Sequence, residues 1–386
     1  MSLSITQTPA TASLAQSPII FTVAESNPVL LTSSSFQYIG ELYYWTGSII
    51  NSGSVDYTIT KFPNTATVGI FDLNRIINST LTDLAATNTS NVVYFAVDFY
   101  TQYLTGSLFV TGSHVKSNLY KALDGYGIFP ETIGQALYSK SPYWPLITDG
   151  PVTQSALITN NTSASIYTGD IGTTQPTKIR YTSNLSTADY FVSSSTNTEG
   201  QEYLYPNGPA ASTFPLSTTG LEWYTIQPYA SSTPLGSPIR YEVVCNQKYP
   251  NVRIGWKNRY GRFDYLNFNM VSRTSFTTMK KTYQPTLGSW ESSTFSYVPY
   301  GSSNLNYVVD STQGLSVNTN WVSEDYNNIF KQLLVSDEIY VVNETTNELT
   351  PITIATSNIA FKTGVVDKLI QYQFDFNYGQ AYKLIM

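Results

Sequence analysis

The side chains able to do covalent or proton-transfer chemistry are few in this chain, and their spacing limits what they could do. There is one histidine, His114, and one cysteine, Cys245. A single Cys excludes an intramolecular disulfide, and one His with one Cys excludes Cys/His zinc sets and any mechanism that needs two histidines. A Cys245–His114 dyad has no support beyond geometric possibility. Cys245 follows Val243-Val244, where a free thiol is expected to act as a small buried hydrophobe, whereas a nucleophilic thiolate needs an electropositive neighbour. His114, near Ser113 and Lys116, reads as a surface or hydrogen-bonded loop histidine, and no Gly-x-Ser-x-Gly elbow accompanies it.

Carboxylates remain, because glycan cleavage needs only two of them, held about 5–10 Å apart. Asp124, Asp149, Asp264, Glu291, Glu324 and Asp325 are the candidates. No spacing couples any two, and Glu324 and Asp325 read as first-turn helix residues. Gly125-Tyr126-Gly127 lacks the preceding strand, the further glycines and the Lys-Ser/Thr of a phosphate loop. The reading is therefore of a non-enzyme with no cofactor and no metal. Asn-x-Ser/Thr triplets at Asn78, Asn88, Asn160, Asn161, Asn184 and Asn343 are expected by chance in a chain this rich in those residues.

Charge is the sharper signal. Between Lys248 and Lys281 lie Lys248, Arg253, Lys257, Arg259, Arg262, Arg273, Lys280 and Lys281 against one acid, Asp264, a net +7. The rest of the chain holds 12 basic and 25 acidic residues, a net −13. A basic segment on an acidic molecule predicts contact between unlike surfaces, and these eight residues are the candidate interface. Arg253, Lys257 and Arg259 share one parity of a strand, so they are expected to form one face, either solvated or in an interface. Nucleic acid is not the expected partner, since the whole chain is negative and no binding motif accompanies the stripe.

Composition points the same way. The 386 residues are 14 % aromatic, with 31 Tyr and 6 Trp, but only 12 % charged. Ser and Thr make up about a quarter of the chain. High aromatic content with low charge predicts an ordered protein. Lys61 is the first basic residue, so the N-terminus lacks the basic region of a secretory signal, and no apolar run reaches the roughly 20 residues of a membrane span. No membrane insertion is expected. Aromatic rings in such number serve cores and interfaces, or platforms for sugars.

The elements that would position these residues are mostly strands. Strand patterns cover 19–23, 29–31, 36–45 and 57–61, and 92–101 with 103–110 reads as a hairpin. Asp72 suits a helix N-cap, with Leu73, Ile76, Ile77, Leu81 and Leu84 at helical spacing. Between 153 and 244, short strands with turn clusters such as Pro206-Asn207-Gly208-Pro209 suit an immunoglobulin- or fibronectin-like sandwich. Farther on, Val252–Asn258 turns at Tyr260-Gly261 and returns through 263–271. Strands follow at 274–283, 294–298, 306–309, 338–342, 351–355, 359–363 and 369–376. Ser323 opens a second helix whose Tyr326, Ile329, Phe330, Leu333 and Leu334 form one apolar face. The expected fold is mainly β: tandem antiparallel β-sandwich domains with two short packing helices, about 72–84 and 323–335. The expected divisions are an N-terminal sandwich at 1–112, an irregular connector at 113–152, a sandwich at 153–244 and a C-terminal antiparallel domain at 245–386.

Two stretches carry a resemblance. Phe36-Gln37-Tyr38 to Tyr44 with Gly69-Ile70-Phe71-Asp72-Leu73-Asn74-Arg75-Ile76-Ile77, and Trp256-Lys257-Asn258-Arg259-Tyr260-Gly261-Arg262-Phe263-Asp264-Tyr265 with 321–339, resemble uncharacterised virion structural proteins of tailed bacteriophages, notably marine and Bacteroidetes-infecting phages. The resemblance implies a tail, baseplate or adaptor component, made in the host cytoplasm and located in the virion. Its partners would be other virion proteins and copies of itself in a homo-oligomeric ring. The alternatives are an adhesin that binds host-surface glycan and, more remotely, a glycan-cleaving enzyme.

Overall fold

The computed structural model describes residues 3–10, 12–33, 35–46, 54–81, 92–126, 153–167, 176–192, 202–235, 237–244, 248–259, 261–291, 293–346, 348–364, 370–379 and 382–385. The protein is mainly β, with several antiparallel and mixed sheets and, among the described residues, three short α-helices. It divides into two compact units. One comprises Met1–Cys245, Trp256–Asp264 and Asn328–Asp337, and the other comprises Asn246–Gly255, Tyr265–Asn327 and Glu338–Met386. No helix among the described residues is long and apolar enough to cross a membrane.

The first unit opens with β1 (Leu3–Gln7), β2 (Ala12–Leu14), β3 (Ile20–Glu25), helix α1 (Pro28–Leu31), β4 (Gln37–Thr46), β5 (Tyr57–Lys61), β6 (Val68–Asp72), helix α2 (Asn74–Thr80), β7 (Val92–Thr105), β8 (Leu108–Lys116) and β9 (Tyr120–Leu123). A three-stranded sheet, β1-β3-β6, faces a six-stranded one, β2-β9-β7-β4-β5 with β8 also on β7. Period-two alternation explains the sandwich. Val93, Phe95, Val97 and Phe99 of β7 meet Phe21 and Val23 of β3 and Phe71 of β6 in one core, which Ile77 of α2 joins. The opposite parity, Val92 and Tyr94, packs with Leu14, Trp45 and Leu123, so the start of β7 is buried on both faces.

Three local expectations differ from the structure here. Residues 29–31 form helix α1 rather than a strand, because the Asn27 side chain accepts from Val29 N and Pro28 stands at the first helical position, as both residue types favour. The helix expected at 72–84 is Asn74–Thr80, with Leu73 at the N-cap. Asp72 Oδ1 instead accepts from both Ile19 N and Asn74 N, each at 3.1 Å, and so pins the helix start to β3. β7 continues to Thr105 and turns at Gly106, whose φ of +66° suits glycine, so β8 and β9 extend the sheet beyond 112.

Farther along the same unit come β10 (Thr153–Ala156), β11 (Ser163–Tyr167), β12 (Lys178–Ser183), β13 (Thr187–Phe191), β14 (Glu202–Pro206), β15 (Trp223–Ala230), β16 (Thr233–Pro234) and β17 (Ile239–Val243). One sheet runs β10-β17-β15-β12-β13, with β16 on β15, and β11-β14 forms a second. β10 lies parallel to β17 and β2 parallel to β9, two departures from the antiparallel rule. β15 alternates cleanly, with Tyr224 and Ile226 in the core. The buried Tyr181 and Tyr224 hydroxyls donate to the carbonyls of Pro206 and Asn207 at 2.5 and 2.6 Å, so the turn read at 206–209 is bonded to the core. Asn160 and Thr162 are buried in the same place, where Thr162 Oγ1 donates to Asn207 Oδ1 at 2.9 Å. That triplet is structural.

The remaining elements are β18 (Val252–Lys257), β19 (Phe263–Phe268), β20 (Arg273–Tyr283), β21 (Leu305–Asn318), a 3-10 turn (Glu324–Tyr326) leading into α3 (Asn327–Val335), β22 (Ile339–Val342), β23 (Leu349–Ile354), β24 (Gln373–Tyr378) and β25 (Tyr382–Ile385). Their sheet runs β19-β18-β22-β23-β24-β21-β20, with β25 on β21. The second helix lies where its apolar spacing placed it, with Tyr326, Ile329, Phe330 and Leu333 buried. Ser323 is extended at the cap position but makes no side-chain cap bond. Residues 294–298 contribute only a single bridge, Ser289–Ser296, and 359–363 form no strand.

Candidate assembly interface

The eight basic residues expected to share an interface have different surroundings. Lys248, Arg273, Lys280 and Lys281 are exposed, Arg259 is half-buried, and Arg253, Lys257 and Arg262 are 6 %, 5 % and 4 % exposed, too little to meet a partner. β18 is an interior strand of its sheet and is buried on both parities, so the expected solvated face does not form there. Long cationic stems can be buried where their charged ends are paired. Arg253 donates to Asn267 Oδ1 at 2.8 Å and lies 5.1 Å from the Tyr265 ring centroid. Lys257 Nζ donates to Asp124 and Asp337.

Arg259 and Arg262 frame the turn read at Tyr260-Gly261. Arg259 N donates to the Gln332 side chain at 3.0 Å, and its carbonyl accepts from Tyr126 N at 2.8 Å. Gly261 has φ +73°, and a Cβ there would stand 1.7 Å from the Asp124 carbonyl oxygen. The turn is thus built for contact within the first unit.

The exposed cations lie mainly on a different feature. β20 is an 11-residue strand in which every residue is exposed. It pairs with β21 from Arg273↔Ser316 to Tyr283↔Leu305, and among the described residues no strand lies on its other edge. Between the two strands, the described residues 284–291 and 293–304 form a turn-rich tip. Gly288 shapes it with φ +78°, in a place where a Cβ would lie 2.6 Å from the Ser296 carbonyl oxygen. Trp290 donates its indole N–H to Leu287 O at 3.0 Å, and its ring is 5.0 Å from that of Phe295. Even so, Trp290 is 71 % and Tyr300 91 % exposed, and Phe276, Met279, Phe295 and Tyr297 are also open. An open groove of about 680 Å³ runs beside them, lined by residues that include Pro285, Leu287, Tyr297, Val298 and Leu305. Exposed apolar residues this concentrated mark interaction surfaces.

The described catalytic candidates His114, Asp124 and Glu324 have separate surroundings. His114 is exposed, on strand β8 rather than in a loop. Asp124 is committed to Lys257, and Glu324 Oε2 accepts from Gly364 N at 2.9 Å. Cys245, Asp149 and Gly127 lie outside the described residues. Among the described residues, no group of three or more His, Cys, Asp and Glu is placed to hold a metal ion.

One polar cluster went unread in the sequence. Glu41 of β4 and Asp98 of β7 are cross-strand partners, on the sheet face opposite the Val97–Phe99 core. Tyr100 donates to Glu41 at 3.0 Å, and His114 Nδ1 lies 3.6 Å from Asp98. Burial, reinforced by the Glu41 hydrogen bond, pushes the Tyr100 phenol up to about 12. The available signal was a lone carboxylate within each of two largely apolar strands.

No protein-family model matches the chain, and no curated protein does either.

Proposed function

We propose that the protein is a non-enzymatic virion structural component of a tailed phage, placed in the tail, baseplate or adaptor, that acts by assembling into a symmetric oligomer and binding neighbouring virion proteins. The β20–β21 arm carries the assembly part of this reading: a strand of exposed residues and an aromatic tip offer burial that the described residues do not supply. The virion setting rests on the sequence resemblance. Low overall charge supports the same reading, since a surface with few ions loses little solvation when it packs against a partner.

The test is the mass of the purified chain by light scattering, together with its copy number in purified particles. A multiple of the chain mass and an integral copy number per particle are expected, and a monomer at high concentration that is absent from particles refutes the proposal. The rings of Trp290, Tyr297 and Tyr300 beside an open groove favour one second reading, a glycan-binding adhesin. Quenching or enhancement of tryptophan emission by host polysaccharide, with no self-association, would select it.

A further inference from the structure

We infer that the edge of β20 on which no described strand lies pairs antiparallel with β20 of a second copy, about a two-fold axis through Thr278. This rests on the assembly reading and specifies its contact.

An unpaired edge leaves alternate N–H and C=O groups pointing outward along the strand, ready to template another strand. In an antiparallel pair, facing residues either bond toward each other or both point away. A strand that pairs with its own copy therefore joins residues of equal parity, and the two-fold axis must pass through a residue. The cations restrict which one. An axis through Thr277 sets Arg273 opposite Lys281, and an axis through Lys280 or Lys281 sets that lysine opposite itself. Like charges directly opposed destabilise a sheet.

An axis through Thr278 opposes no two cations and pairs the whole of Arg273–Tyr283. Arg273 then faces Tyr283 of the second copy, and Lys280 faces Phe276, so two of the three cations lie across from an aromatic ring that can attract them. Lys281 faces Ser275, Thr277 faces Met279, and Thr274 faces Thr282. Lysines on an edge discourage indiscriminate strand addition. Here the register centred on Thr278 is the one that pairs all eleven residues of the strand without setting two cations directly opposite, which makes a second copy the fitting occupant. The contact is isologous, as a two-fold requires.

Disulfide trapping tests the register in full-length chain carrying Cys245→Ser. Thr278→Cys places two thiols face to face and is expected to give a covalent dimer at least about tenfold faster than the exposed control Thr233→Cys, because paired strands raise the effective thiol concentration. Thr274→Cys and Thr282→Cys are each expected to remain monomeric on a non-reducing gel, and to cross-link when mixed. Cross-linking of Thr278→Cys no faster than the control overturns the inference. If the unsubstituted chain is nevertheless oligomeric by light scattering, only the β20 contact falls. If it is monomeric, the assembly reading falls with it.

Discussion

Lys257 Nζ lies 3.3 Å from the carboxylate of Asp124, and both side chains are 6 % exposed. The same ammonium is 2.9 Å from Asp337, whose side chain is 62 % exposed. One cation thus serves a buried and a solvated carboxylate, and the two should differ in weight. Lys257→Ala leaves Asp124 charged and buried, and is expected to cost about 3–5 kcal/mol. Asp337→Asn is expected to cost less than about 1 kcal/mol, as exposed pairs do. Urea denaturation of both variants checks the contrast.

Gly261 should tolerate no side chain. Its φ of +73° is strained for any other residue, and a Cβ would overlap the Asp124 carbonyl. Gly261→Ala is expected to lose more than the roughly 1–2 kcal/mol of the left-handed conformation alone, because the turn must also withdraw from the backbone it touches. The corresponding change at Gly106, which has open space around it, should cost only the conformational part. Thermal melts of the two variants separate these contributions.

Acid should weaken the sandwich formed by β10–β17 in a defined window. Hydrogen bonds from Arg180, then from Lys178, hold the Asp189 carboxyl down at about 2, below its ordinary 3.8. A depressed folded-state value stabilises fully above the unfolded value, and that contribution fades as pH falls from about 3.8 through about 2. The Asp189 side chain is only 22 % exposed, yet solvent still screens the pair, so the contribution is about 1 kcal/mol rather than the full shift. Asp189→Asn should therefore melt lower than the unsubstituted chain at pH 7, with the gap narrowing below pH 3.8.

Trp290 and Tyr300 offer the cleanest separation of folding from assembly. Both are exposed, so Trp290→Ser with Tyr300→Ser is expected to move stability by no more than about 0.5 kcal/mol. The oligomer mass should fall toward that of the single chain. An unchanged mass in light scattering would remove the tip from the interface.

The architecture was largely legible from side-chain periodicity, because alternation and helical spacing are local properties that survive into the core. β7, β15 and α3 show this directly: Phe95 and Phe99, Tyr224 and Ile226, and Ile329 and Phe330 are buried as their spacing requires. Misreadings fell where a local cap or turn competed, as at Asn27-Pro28 and Gly106. The excess of Lys and Arg between 248 and 281 was legible, but summed charge cannot say which cations face water: Arg253, Lys257 and Arg262 are buried, whereas Lys248, Arg273, Lys280 and Lys281 are exposed.

What the sequence determined by itself was the class of chain: mainly β, poor in catalytic residue types, with charge segregated along its length. Only the tertiary structure decided the fate of each charge. Arg253 and Lys257 were drawn inside because an interior strand brought Asn267 and Asp124 to them, and Arg262 because it sits in the tight turn beside Gly261. Arg273, Lys280 and Lys281 stayed outside because β20 is an edge strand. Burial depends on what the rest of the chain places opposite a residue, and partners such as Asp124, 133 positions from Lys257, are not written in the local pattern.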